Sequence, residues 1–158
     1  MVTTLGSFSA GQILGAVDMN AIATWTAFTP SFTGVTAGTG ASNTGQYCLL
    51  NEVLFIRVRY TLGTGGSFTN PVMTLPASLV ATSSPVSFWS NGMQGALVDN
   101  GVTSYPLAVN LGSTTTINFY AQTASGTYLT QISTVSATVP FTSGTSDFLD
   151  VAGWIQVN

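Results

Sequence analysis

The side chains that could carry out acid–base or nucleophilic chemistry are few in this sequence. Its 158 residues include five carboxylates, two arginines and one cysteine, with no histidine and no lysine. General acid–base catalysis at neutral pH usually relies on histidine, or on carboxylates and lysines with shifted pKa values. The remaining candidates are the carboxylates, namely Asp18, Glu52, Asp99, Asp147 and Asp150.

Asp147 and Asp150 are the pair to consider for glycoside hydrolysis, which needs two carboxylates facing each other across one bond. If the last strand has already begun at Asp147, the two side chains point to opposite faces of that strand. All five carboxylates fall in the predicted helix, at turns or near strand ends, where solvated carboxylates normally lie. We therefore expect no catalytic residues and no enzymatic activity.

The sequence also lacks the partner residues that nucleophilic catalysis and metal binding require. Cys48 has no histidine partner and no nearby cation to activate its thiol, so we interpret it as a small buried apolar side chain. One cysteine without histidine cannot fill a tetrahedral zinc site. The oxygen-rich segment 99–101 could offer calcium ligands, but we interpret it as a turn. The glycines of segment 63–66 lack the lysine and following helix of a phosphate-binding loop. We expect no cofactor and no metal.

The two cations, Arg57 and Arg59, lie in the clearest strand of the sequence, Val53 to Leu62. Leu54, Ile56, Val58, Tyr60 and Leu62 share one face of this strand, which we predict to be core, and the arginines share the other. The arginines either cover a solvated strand surface or pair with a carboxylate of a neighbouring subunit. We name Arg57 and Arg59 as candidate intersubunit contacts.

Aromatic side chains offer a further kind of site, because exposed rings can form a platform for carbohydrate. Scattered on alternating strands, they are more often core or interface. The aromatics considered are Trp25, Trp89, Trp154, Phe119 and Tyr120.

The composition excludes several classes of partner. Charged residues make up 4% of the chain, against about 25% in a typical domain, while roughly a quarter of the residues are serine or threonine. Two cations cannot neutralise a run of phosphates, so nucleic acid is a poor partner. Every apolar run is interrupted within about six positions, which is too short for a membrane span. The first eight residues lack the features of a secretory signal.

The elements that position these residues fall into two parts. Apolar residues at intervals of three and four predict a short helix from Ile13 to Trp25 that ends before Pro30. We assign residues 1–27 to an N-terminal attachment segment, with Met19, Ile22 and Trp25 as attachment residues; core packing is the alternative for Trp25.

Residues 28–158 show period-two patterns broken by Gly, Asn, Ser and Pro clusters, which is typical of a β-sandwich or barrel. We predict an all-β, antiparallel, jelly-roll-like sandwich. Asn91-Gly92 and Asn100-Gly101 favour type I′ hairpin turns. Pro106 predicts an edge strand or a bulge. Segment 34–44 is either an exposed loop or a bend. Strands are predicted at 45–50, 53–62, 72–75, 86–90, 95–98, 102–109, 115–121, 127–135 and 148–157.

Three pieces of the chain, in order, resemble a domain of structural proteins from tailed phages that infect actinobacteria. The first piece is Ala16 to Asn20 with Trp25 and Phe28-Thr29-Pro30. The second is Asn43 to Tyr47, the strand Val53 to Arg59, Gly63 to Gly66 and Leu75-Pro76. The third is Val139-Pro140, Asp147 and Leu149 to Trp154. The resemblance implies a virion role and no catalytic site.

From this resemblance and the low charge, we expect a capsid decoration or minor capsid protein, made in the host cytoplasm and placed on the outer surface of the virion. Its expected partners are itself, as a homotrimer, and the phage major capsid protein or a tail protein. The alternative is a minor tail or tail-tip protein that binds a host surface polysaccharide. Permanent interfaces resemble a core cut in half, which suits this composition.

Overall fold

The computed structural model describes residues 24–76, 79–81, 92–125 and 128–157 of the chain, without the side chains of residues 123–132. These residues form ten β-strands. They are β1 (Thr26–Phe28), β2 (Ser31–Thr36), β3 (Ser42–Leu50), β4 (Val53–Thr61), β5 (Ser67–Thr74), β6 (Gln94–Asp99), β7 (Thr103–Ser113), β8 (Thr116–Ser125), β9 (Tyr128–Thr134) and β10 (Phe148–Gln156).

All pairings between these strands are antiparallel, in the order β1-β3-β4-β10-β6-β7-β8-β5-β2, with β9 paired to β8. The sheet curls like a half-barrel. Phe32, on β2 at one end of the order, lies 5.2 Å from the ring of Tyr60 on β4 and 6.3 Å from the ring of Phe119 on β8. The inner face of the curled sheet therefore encloses the core.

The alternation predicted for the clearest strand is confirmed in β4. Leu54, Ile56, Val58 and Tyr60 are buried, whereas Arg57 and Arg59 are exposed on the other face. The neighbouring strand β10 alternates in the same way, with Leu149, Val151 and Ile155 buried. Burying these aliphatic side chains is the main stabilising term of such a sheet, at about 1.5–3 kcal/mol each.

The all-β and antiparallel prediction is confirmed, but the division into two packed sheets is not. Hydrogen-bonded pairing runs through one continuous curled sheet instead of two separate layers. The predicted N-terminal helix and the predicted strand at 86–90 lie outside the described residues, as does most of segment 1–27. No helix in the described part of the chain has the length and apolar character needed to cross a membrane.

Segment 34–44, predicted to be an exposed loop or a bend, has its two ends in strands. Its first residues complete β2, which carries a register shift at Gly34, and its last residues begin β3. Between them, Thr39 and Thr64 exchange backbone hydrogen bonds of 3.0 and 2.9 Å. The glycines of segment 63–66 form the turn on the other side of this bridge, as predicted.

Two predictions about turns and edges are corrected. The turn after Asp99 has a positive φ at Gly101 only, so it is not the type I′ turn that we predicted. The Asn100 N–H donates to the Asp147 carboxylate at 3.0 Å, which holds Asn100 in place.

Pro106 lies in β7, an interior strand. It pairs with Ala96 of β6, and pairing with β8 begins at Leu107, so the missing N–H lies outside the pairing with β8.

Candidate functional site

The two arginines lie on the outer face of the sheet, where the strand register places polar side chains in two rows. In the first row, Arg57 is paired with Gln46 of β3 on one side and with Ala152 of β10 on the other. Ala152 is in turn paired with Gln94 of β6. In the second row, two residues further along β4, Arg59 is paired with Thr44 of β3 and with Asp150 of β10. Asp150 is in turn paired with Ala96 of β6. Four strands at about 4.8 Å spacing make each row roughly 14 Å wide.

These two rows line an open groove of about 990 Å³. Small residues such as Ala96 and Ala152 keep its floor low, and Ala27 to Thr29, at the end of β1, line one side. The size falls at the upper end of the range for ligand pockets, about 300–1,000 Å³. We call this feature the outer groove.

Arg59 and Asp150 form an ion pair inside the outer groove. Arg59 Nε donates to Asp150 Oδ1 at 2.7 Å, and Arg59 Nη2 donates to Oδ2 at 2.5 Å. The hydrogen bond with Asp150 raises the pKa of Arg59 above its ordinary value, slight burial opposes this, and the charge of Asp150 adds to the rise. Arg59 also covers the ring of Phe148, with its guanidinium carbon 4.3 Å from the ring centroid.

Arg57 is held by neutral groups. Its Nε donates to Gln46 Oε1 at 2.8 Å, its Nη2 donates to the same oxygen, and its guanidinium carbon lies 4.6 Å from the centroid of a Trp25 ring. The prediction that the arginines contact a neighbouring subunit stays a prediction, although the carboxylate partner of Arg59 belongs to the same chain.

Two exposed tryptophans lie next to residues that line the outer groove, without lining it themselves. Trp25 is 42% exposed and Trp154 is 46% exposed, so neither is a core residue. Trp154 lies two residues from Ala152 on the same face of β10, opposite Phe55 of β4. The attachment role predicted for Trp25 is not tested by this position, and Met19 and Ile22 lie outside the described residues.

Backbone geometry positions Trp154 on this face. Gly153 has a φ of +148°, and a Cβ at this residue would lie 2.3 Å from the Gly92 carbonyl oxygen. The Trp154 indole packs on Gly92, where a Cβ would lie 2.1 Å from the indole nitrogen. The sequence pattern contains no signal for this close approach beyond the two glycines themselves.

The prediction that all carboxylates are solvated is wrong for Asp147. Its side chain is buried and accepts backbone N–H groups from Gly144 at 2.6 Å and Asn100 at 3.0 Å. It thereby ties the β6–β7 turn to the segment before β10. Glu52 is exposed in the β3–β4 turn and Asp99 ends β6, as predicted.

The remaining candidates are dispersed. Cys48 is buried, as expected, and Phe119 is in the core, whereas Asp18 and Trp89 lie outside the described residues. Within the described ranges, no three His, Cys, Asp or Glu side chains group closely enough to hold a metal ion. Of the carboxylates that the structure describes, Asp150 alone lines the outer groove.

Comparison with known proteins shows a likeness in fold. The sequence matches no protein-family model and no curated protein. Among solved structures, the Dettilon tailspike protein superposes with a TM-score of 0.54 over 86% of this chain, at 19% sequence identity. This chain spans 24% of the length of that tailspike. At this identity the likeness shows a shared fold.

Proposed function

We propose that the chain is a non-enzymatic structural component of a bacteriophage particle. The observation that carries the proposal is the likeness in fold, over 86% of the chain, to one segment of a phage tailspike protein. The sparse charge and high apolar content are consistent with a chain that is permanently packed in an assembly. The resemblance of its sequence to actinobacteriophage structural proteins points to the same class.

The position on the particle has two candidates. The sequence resemblance and composition favour a capsid decoration or minor capsid protein on the outer surface. The fold likeness favours a tail component, because the similar solved structure is a tailspike. We favour the tail, since this observation comes from the fold, whereas the capsid position is supported by loose sequence resemblance and composition.

The proposal of no enzymatic activity is supported by the outer groove. Glycoside hydrolysis uses two carboxylates that flank one bond. Among the described residues, the outer groove is lined by a single carboxylate, Asp150, which is engaged by Arg59. Asp147 is buried and occupied by two backbone N–H groups. Neither carboxylate is placed as a free acid or base beside the other.

The test of location is the copy number and position of the chain on purified particles. A tail component is expected at a few to tens of copies and at the tail by antibody labelling in electron microscopy. A copy number that matches the capsid lattice, with labelling over the head, would support decoration instead. Absence from purified particles would contradict the virion role.

The test of activity is incubation of particles and isolated protein with host-envelope polysaccharide, followed by measurement of released reducing ends. We expect no release above the level of a heat-treated sample. Release that disappears in Asp150→Asn or Asp147→Asn would show a depolymerase and contradict the proposal.

A further inference from the structure

From the outer groove we infer a second property that goes beyond a structural role: it binds an acidic saccharide, meaning an oligosaccharide that carries carboxylate groups. The whole sequence has two cations, and both line this one groove. In a chain of net charge −3, the outer groove combines Arg57 and Arg59 with Asp150. The described lining therefore has a charge opposite in sign to that of the chain.

The two arginines differ in the charge and the hydrogen-bond donors that remain available to a ligand. Arg59 is neutralised by the bidentate pair with Asp150. Within the described part of the chain Arg57 makes no ion pair, because Gln46, its hydrogen-bond partner, is neutral. A guanidinium has five N–H donors in a planar fork, so Arg57 keeps donors for a ligand. Such a fork matches the geometry of a carboxylate.

The other residues in and beside the outer groove suit the hydroxyl groups and the apolar ring faces of a sugar. Gln46 and Gln94 place amide groups in the same row as Arg57, and amides both donate to and accept from hydroxyls. Trp25 and Trp154 present exposed rings beside residues that line it, since Trp25 contacts Arg57 and Trp154 is two residues from Ala152 on β10. Large amphipathic rings of this kind pack against the apolar faces of a sugar ring while its hydroxyls remain hydrogen-bonded.

Other occupants fit the outer groove less well. A nucleic acid would need several cations to neutralise successive phosphates, and one uncompensated arginine supplies a single contact. A peptide that adds as a strand needs an open sheet edge, whereas the floor of the outer groove is formed by β3, β4, β10 and β6, which are paired with one another. An acidic saccharide uses the polar, aromatic and cationic groups together.

The test compares ligands that differ chiefly in charge, since a methyl ester neutralises each carboxylate and leaves the sugar ring unchanged. The full-length protein is titrated with trisaccharides of galacturonate, mannuronate and glucuronate and with the methyl ester of each, by calorimetry and tryptophan fluorescence. At least one acid form is expected to bind tenfold or more tightly than its ester at low salt, and added salt should reduce the difference. Equal binding of acid and ester, or no binding at millimolar concentrations, would overturn the inference.

Variants assign the effect to the outer groove. Arg57→Gln should reduce binding of the acid to the level of the ester, and Arg57→Lys should lie between. Trp154→Ala should weaken the binding of both forms. Val102→Ala is the control, because Val102 is 75% exposed at the β6–β7 turn and does not line the outer groove. Its binding should match that of the unchanged chain.

The variants also distinguish a ligand site from a subunit interface. Light scattering and thermal melting of Arg57→Gln should match the unchanged protein. If Arg57→Gln lowers the oligomeric state and leaves saccharide binding unchanged, the outer groove holds a second copy of the chain and the inference is wrong.

Discussion

At Arg59 and Asp150 an ion pair joins two neighbouring strands on the outer face. The two side chains are 56% and 34% exposed, so water screens the attraction between their charges. Exposed pairs of this kind contribute about 0–1 kcal/mol to stability. We therefore attribute to the pair a role in shaping the outer groove, more than in stabilising the fold.

A double-mutant cycle with Arg59→Gln and Asp150→Asn should give a coupling energy below about 1 kcal/mol in chemical denaturation. The raised pKa of Arg59 adds stability that is present at all pH values below the ordinary arginine pKa and is lost only as pH rises through the folded value. This contribution should therefore be constant between about pH 6 and 9. A coupling of more than about 2 kcal/mol would contradict this account of the pair.

Gly153 is the residue at which a substitution should be most costly for this face. Gly153→Ala would force a Cβ into the backbone of Gly92 and Met93 at a φ of +148°. Strained backbone costs about 1–3 kcal/mol, and the clash with backbone atoms adds to it. We expect a clear loss of thermal stability and a change in Trp154 fluorescence.

Gly101→Ala is the matched control for this substitution. Gly101 also has a positive φ, +85°, but nothing lies within 4 Å of a Cβ there. It should cost about 1 kcal/mol from backbone conformation alone. Equal costs at Gly101 and Gly153 would show that close packing against Gly92 does not matter.

At the scale of elements, Asp147 links the β6–β7 hairpin to the start of β10. Its carboxylate receives one N–H from the hairpin turn and one from its own segment, and the Leu62 N–H donates to its backbone carbonyl at 2.8 Å. Three regions distant in sequence therefore meet at one residue.

Asp147→Ala should destabilise the protein by about 1–3 kcal/mol, because the part-buried N–H groups of Asn100 and Gly144 lose a charged acceptor. The measurement is the free energy of unfolding, with hydrogen exchange at Asn100 and Gly144 as a local readout. Glu52→Ala, an exposed carboxylate in the β3–β4 turn, should change stability by less than about 0.5 kcal/mol. If the two variants lose equal stability, the buried carboxylate does not clamp the hairpin.

At the scale of the whole molecule, sparse charge and high apolar content indicate a chain that associates. We expect a homo-oligomer, with a trimer as the state suggested by the resemblance to phage appendages. Light scattering at micromolar concentration should show this state. A stable monomer there would count strongly against oligomerisation.

The attachment role of the N-terminal segment belongs to the same scale. Removing residues 1–25 deletes the three predicted attachment residues, Met19, Ile22 and Trp25. The shortened chain should stay folded by circular dichroism and lose binding to particles that lack the protein. Binding at full occupancy would show that attachment resides in the β-sheet.

The sequence by itself determined the class of fold and the faces of single strands. In β4 the alternation of apolar and polar residues predicted which side chains are buried, because a strand's period of two is a local property. The shortage of titratable residues likewise limits the chemistry open to the chain, whichever way its strands are arranged. The strands β1 and β2 were not predicted, because β1 has only three residues and the alternation of β2 is interrupted by a register shift at Gly34.

Only the tertiary structure decided which strands are neighbours. Arg59 and Asp150 are 91 residues apart in sequence, and no local pattern says that β4 pairs with β10 or in which register. The burial of Asp147 depends on a turn 47 residues away. The outer groove arises from this pairing, because it gathers side chains from separate strands into two rows. Pairing between distant strands is set by the packing of the whole core, which the alternation within one strand does not specify.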